Sequence, residues 1–202
     1  MEKERYLAAC HESAHVVINA AKGRRIETVT IYSLDEQNYG GMTCVRCFSD
    51  SGTEPGDIMG VVGKDPFAPL FRATARTAAQ QAAIELPLED ELAILAAGIV
   101  GERIAAAEHG WQLDPNHENV QAEADITQAK EFAQQAEKLE AFASLWQEAQ
   151  SEAAHLFQRA DIREAWQRIT ELLQEQQKIT WKDLSKPTRT LLTKVSGHDQ
   201  LI

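Results

Sequence analysis

The apolar positions change rhythm several times along the chain. From Tyr6 to Ala21 they are dense, with Leu7, Ala8, Ala9, Cys10, Val16, Val17 and Ile18, and nothing breaks the run before Gly23. That pattern predicts a helix stopped by the glycine. Ile26 to Tyr32 alternates with period two and is rich in β-branched residues, as a strand is, and Gly40 to Phe48 reads as a second strand after a polar, turn-like Ser33 to Asn38. Together they predict a small sheet beside the first helix. Its edge suits an extended peptide added as a strand, or else the pair is a purely structural hairpin. Ser49 to Pro69 carries Gly52, Pro55, Gly56, Gly60, Gly63, Pro66 and Pro69 and is expected to be loop, either a lid or a disordered insertion.

From Leu70 the spacing turns helical. Helices are expected over Phe71 to Glu85 and Leu88 to Glu108. In the second of these, Ala96, Ala97, Gly98 and Gly101 would let another helix approach closely, the first helix being a plausible partner. A polar break over Gly110 to Asn119 contains Pro115. Further helices are expected over Ala122 to Ala136, Glu137 to Phe157 and Ile162 to Gln176, with Leu139, Phe142, Leu145, Trp146, Ala149, Ala153, Leu156 and Phe157 on one face of the long middle run. Ile179 to Leu184 closes the fold and Ser185 to Ile202 is a polar tail. The fold class is mainly α with a small β-sheet (α+β).

The chain has 202 residues, enough for a sizeable core, and a net charge of −11 from 20 basic and 31 acidic residues. That balance argues against nucleic acid or an anionic membrane as partner, since both reward clustered Lys and Arg. No apolar run is long enough to span a bilayer, and Met1 to Arg5 is charged, without the apolar region of a signal peptide. A soluble, cytoplasmic protein is expected. Three cysteines make no disulfide framework; Cys44 and Cys47 lie in a strand-like run with no second C-x-x-C to complete a zinc site, and are read as ordinary thiols.

The chemistry lies in His11-Glu12-Ser13-Ala14-His15, an H-E-x-x-H sequence inside the first helix. Four residues apart, the two imidazoles share a helix face and can reach one metal ion. Zinc lowers the pKa of a bound water to about 7, and a carboxylate at position 12 is placed to take its proton during attack on a carbonyl. Such a site needs a third protein ligand. Glu102, His109, His117, Glu118, Glu123 and Asp125 are candidates, and spacing does not choose among them. A carboxylate at Glu102 on an apolar helix needs a reason to be buried, whereas Asp125 near the expected start of a helix would serve equally as a cap.

His11 to His15 resembles the H-E-A-G-H motif of the FtsH-type zinc metallopeptidases, the proteolytic domain of membrane-bound AAA+ proteases. Val29-Thr30-Ile31 and Gly40-Gly41-Met42-Thr43 resemble that family's V-x-I-x-P-R and G-Y-T segments. Ala97 to Glu102 resembles its G-G-R-A-A-E helix, and Ala124-Asp125-Ile126-Thr127-Gln128-Ala129 its N-D-L-x-x-A-T segment. Leu173 to Leu184 resembles its closing segment. The resemblance implies an FtsH-like peptidase domain over residues 1–184 with a variable insertion at 49–83. In it His11, His15 and Asp125 bind zinc, Glu12 is the general base and Glu102 orients a ligand. The expected activity is that of a zinc metalloendopeptidase.

Departures from the family accompany the likeness. Ala14 replaces its glycine, Ile31-Tyr32-Ser33 lacks its Pro-Arg, and no G-x-x-x-x-G-K-[ST] phosphate loop occurs. The expected substrates are therefore peptides or unfolded segments, with a separate ATPase as a candidate partner and a homo-oligomer as a candidate assembly. The alternative is a non-proteolytic binding or adaptor module that keeps the fold, with or without the metal.

Overall fold

The computed structural model describes residues 2–33, 39–46, 57–62, 86–113 and 115–196. Helix α1 (Glu2–Ala21) is the central element. It is followed by strands β1 (Arg25–Ser33), β2 (Tyr39–Arg46) and β3 (Asp57–Val62). Then come helices α2 (Leu88–His109), α3 (Pro115–Gln135), α4 (Phe142–Leu156) and α5 (Ala160–Gln176), strand β4 (Lys178–Thr180) and helix α6 (Lys186–Ser196). The architecture is mainly helical with a small antiparallel sheet in the order β3-β2-β1-β4.

Helix α1 packs against α2, α5, α6 and the β1–β2 hairpin. Being surrounded, it has no solvent face over its central turns, and every residue from Leu7 to Asn19 is buried. It ends where Gly23 takes φ 80°, a left-handed value that costs glycine nothing, and the Arg24 amide closes the turn on the Asn19 carbonyl. Helix α2 is likewise apolar on all sides because α1 lies on one flank and α3 and α4 on the other; Leu92 to Glu102 is continuously buried. The main core joins Leu7, Val17 and Ile18 of α1 to Ile26, Val29 and Ile31 of β1 and to Ile162, Trp166, Ile169 and Leu173 of α5. A smaller cluster of Leu92, Leu95, Ala96, Ala129 and Ala149 ties α2 to α3 and α4.

Several expectations change. Part of the expected loop at 49–69 is a strand: β3 pairs with β2 through Ile58–Val45, Gly60–Thr43 and Val62–Gly41. Its short apolar run is hidden in sequence by the glycines and prolines around it. Pro115 does not break a helix but begins one, since its missing N–H falls where a helix start leaves amides unused. The run 137–157 is divided: Glu137 takes φ 57°, a 3₁₀ turn spans Leu139–Ala141, and Leu139 is exposed instead of sharing the face of α4. Residues 186–196, expected to be tail, form α6, whose Leu192 and Val195 are buried in the main core against α1 and α5. The polar majority of that segment faces outward and masks an amphipathic pattern. The expected helix at 71–85, the turn residues 34–38 and the rest of 49–83 lie outside the described residues. Among the described residues no helix is long and apolar enough to cross a membrane.

Candidate metal centre

His11, Glu12 and His15 stand on α1, and Asp125 stands at the middle of α3. The rings of His11 and His15 lie 4.8 Å apart between centroids. Each is held at its Nδ1 edge. His15 Nδ1 lies 2.8 Å from the Ile94 carbonyl and His11 Nδ1 lies 2.5 Å from Glu102 Oε1, both on α2. A carbonyl oxygen only accepts, so His15 carries its hydrogen on Nδ1; the carboxylate imposes the same tautomer on His11. Both rings thus turn Nε2 toward one point, where Asp125 Oδ2 lies 3.1 Å from the first and 3.4 Å from the second.

Ligand-capable atoms of His11, His15 and Asp125 fall within 4.8 Å of one another. The three residues are buried, at 2%, 3% and 0% exposure, and His11 Nε2, His15 Nε2 and both Asp125 oxygens have no hydrogen-bond partner. Leaving a polar atom buried and unpaired costs about 1–3 kcal/mol, more for a charged one, so four together at one point need an explanation. A cation removes the penalty from all four. Two imidazoles and a carboxylate are donors suited to zinc and neighbouring first-row metals, so the residues present fit a metal ion.

Electrostatics agree with that fit. Burial opposes protonation of His11, but the Glu102 and Asp125 carboxylates outweigh it and hold its pKa well above the ordinary imidazole value. Burial opposes protonation of His15 too, and Asp125 reverses the balance. Asp125 is pushed up by burial but held below its usual range by His15 and His11. The carboxylates thus favour positive charge at the imidazoles, and a cation would compete with protons for the same place.

Glu12 points toward the sheet. Its Oε2 accepts a 2.7 Å hydrogen bond from the Thr43 hydroxyl of β2, and its Oε1 is buried without a partner. Burial raises its pKa, against the opposing pull of His15 and His11. Two glycines make room. A Cβ on Gly41 would come within 2.3 Å of Glu12 Cγ, and one on Gly98 within 2.4 Å of His11 Cε1 and Nε2. A Cβ on Gly101 would meet Ala14 Cβ at 2.7 Å.

Of the six candidates for a third ligand, Asp125 joins the two histidines. It lies inside α3 and not at a helix start, so the cap explanation fails. Glu102 is buried because it pairs with His11 through the ring edge away from the cluster. His109 is exposed at the end of α2, its ring tilted against those of Tyr6 and Trp111, and Glu123 is exposed on α3. The side chains of His117 and Glu118 lie outside the described residues. Cys44 is on β2 and Cys47 lies outside the described residues. The Cys10 thiol, next to the site, is pushed up to about 12 by burial. Sequence inspection missed Thr43, Gly41 and the Ile94 carbonyl as parts of the site. A strand glycine two residues from a threonine was a signal, but the partner across the fold was not visible.

No known protein family matches the chain, and no curated protein matches it.

Proposed function

We propose that the chain is a zinc-dependent peptidase of FtsH-like type, acting on peptides or unfolded segments. The convergence of His11 Nε2, His15 Nε2 and Asp125 Oδ2, all buried and without a hydrogen-bond partner, beside a buried glutamate carries this reading. His11, His15 and Asp125 would hold the zinc. When bound, zinc supplies Lewis acidity, making water a stronger acid and a carbonyl a stronger electrophile.

Glu102 and the Ile94 carbonyl orient the two rings from their Nδ1 edges, which leaves both Nε2 atoms turned toward Asp125, where they would hold an ion. Glu12 is the base. It takes a proton from water at Oε1 while the water oxygen bonds to the scissile carbonyl carbon. As the C–N bond breaks, Glu12 returns that proton to the amine nitrogen. Burial raises the affinity of Glu12 for a proton, which suits a group that must accept one and give it back near neutral pH.

A second reading is a non-proteolytic binding module with the metal held structurally. It is favoured by the depth of the site, where Glu12 is 1% exposed. A structural site has no use for a base, and this favours the peptidase. The test is zinc content followed by hydrolysis of an unfolded protein and of short peptides, with a chelator control. About one zinc per chain and chelator-sensitive cleavage support the peptidase. Zinc without cleavage supports the binding module. No zinc after reconstitution overturns the peptidase and leaves a binding module without metal.

A further inference from the structure

The base is built from two elements, and the second has no part in the H-E-x-x-H sequence. Strand β2 crosses α1 so that alternate residues Gly41 and Thr43, on one face of the strand, both meet Glu12. Thr43 is 3% exposed and donates to Oε2 at 2.7 Å; its hydroxyl also lies 3.4 Å from the Glu12 carbonyl. Gly41 leaves no side chain where the Glu12 carboxyl lies: an added Cβ would sit 2.4 Å from Oε1 and 2.5 Å from Cδ. One oxygen is therefore engaged and the other, Oε1, is the buried unpartnered one.

We propose that Thr43 is a positioning residue for Glu12, with Gly41 providing the cradle. The hydroxyl fixes the carboxylate rotamer through Oε2 and reserves Oε1 as the oxygen that takes and returns the proton. This rests on the peptidase reading. It also gives the hairpin a task separate from any pairing with substrate, because holding Glu12 needs a side chain pointing at α1 and not a free strand edge. Sliding β2 by one residue would turn Gly41 and Thr43 to the opposite face, so the register with β1, Thr43 against Val29, is part of the site.

The experiment compares wild type, Thr43→Val, Thr43→Ser and Gly41→Ala in the full chain loaded with zinc. Valine keeps the shape and strand preference of threonine and removes only the hydroxyl. Thr43→Val is expected to keep one zinc and an unchanged KM for an unfolded labelled protein while kcat falls roughly ten- to hundredfold, the cost of a misplaced reacting group. Thr43→Ser should restore most of that loss. Gly41→Ala should lower kcat at least as far as Thr43→Val.

An arm independent of activity is the unfolding cycle of Thr43→Val with Glu12→Leu. The hydroxyl loss should shift the folding equilibrium by roughly ten- to a hundredfold beside Glu12, and by little beside leucine. If Glu12→Leu does not fold, Glu12→Met takes its place. Wild-type kcat in Thr43→Val, no rescue by serine, loss of zinc together with activity, or additive unfolding effects would each overturn the proposal while leaving the peptidase intact. A zinc-loaded wild type that cleaves nothing would overturn the peptidase reading, and the positioning role with it, even where the unfolding cycle shows coupling.

Discussion

Each side chain of the candidate centre has a partner that decides what it can do. Of the site carboxylates Glu12, Glu102 and Asp125, Glu12 alone bonds to the sheet, which would separate the proposed base from the proposed ligands. Glu12→Gln is nearly isosteric and cannot take a proton. It is expected to keep zinc and lose at least a hundredfold in kcat, read from metal analysis beside turnover; near-normal turnover would remove Glu12 from the role of base. Glu102 acts at one remove, through His11 Nδ1 at 2.5 Å. Glu102→Gln keeps an acceptor for the ring hydrogen but removes the charge, and zinc affinity is expected to weaken roughly ten- to a hundredfold in a chelator competition. An unchanged affinity would mean that the ring is held by packing alone.

Between elements, the decisive contact is α1 on α2. Gly98 is where the His11 imidazole passes, and Gly101 is where Ala14 rests. Gly98→Ala would gain up to about 1 kcal/mol of helix propensity in isolation. Here the added methyl meets a buried ring, and the net expectation is a loss of about 1–3 kcal/mol in urea unfolding together with weaker zinc binding. A stabilised variant with intact zinc would show that the helices can slide apart at no cost. Helix α6 makes a different point, because its apolar face completes the core against α1 and α5. Leu192, 1% exposed, is expected to cost about 2–5 kcal/mol on truncation to alanine. A change below 0.5 kcal/mol in the unfolding midpoint would show this helix to be dispensable.

For the protein as one body, the candidate centre ties stability to pH and, on the proposed function, to metal. Without metal, the raised pKa values of His11 and His15 mean stability fully present below the unfolded imidazole value and lost as pH rises through the raised values. The lowered pKa of Asp125 acts oppositely, giving stability present above the unfolded carboxylate value and lost as pH falls through the lowered one. Glu12, raised by burial, contributes stability that is present below the unfolded carboxylate value and lost as pH rises through its raised one. Metal must displace the imidazole protons, so its affinity rises with pH. The stabilisation given by a fixed amount of zinc is therefore expected to grow as pH rises from below the ordinary imidazole value through the raised values of His11 and His15, and to reach about 3 kcal/mol where zinc stands at about a hundredfold excess over Kd. A gain independent of pH, measured by thermal denaturation with and without chelator, would place the metal away from the histidines.

The pair of histidines and the glutamate were legible because an i, i+4 spacing in a helix is a local geometry, set by 3.6 residues per turn and unaffected by what packs outside. The strands around Val29 and Thr43 were legible for the same reason, since alternation is local too. Asp125 was one of six candidates until α3, packed on α2, brought its carboxylate to the α1 histidines, because separation in sequence says nothing about separation in space. Its position inside a helix depended on Pro115 starting that helix, a choice that proline's fixed φ permits but does not compel. Strand β3 was illegible because glycines and prolines surround it and its pairing with β2 is not written in its own residues, the division at Glu137 because it hangs on one left-handed residue at φ 57°, and helix α6 because Leu192 and Val195 are buried against distant α1 and α5 under a polar majority. The pattern along the chain determined which groups can do chemistry. Packing between helices and sheet settled which of them meet, because burial and hydrogen bonding are satisfied only between segments that sequence does not bring together.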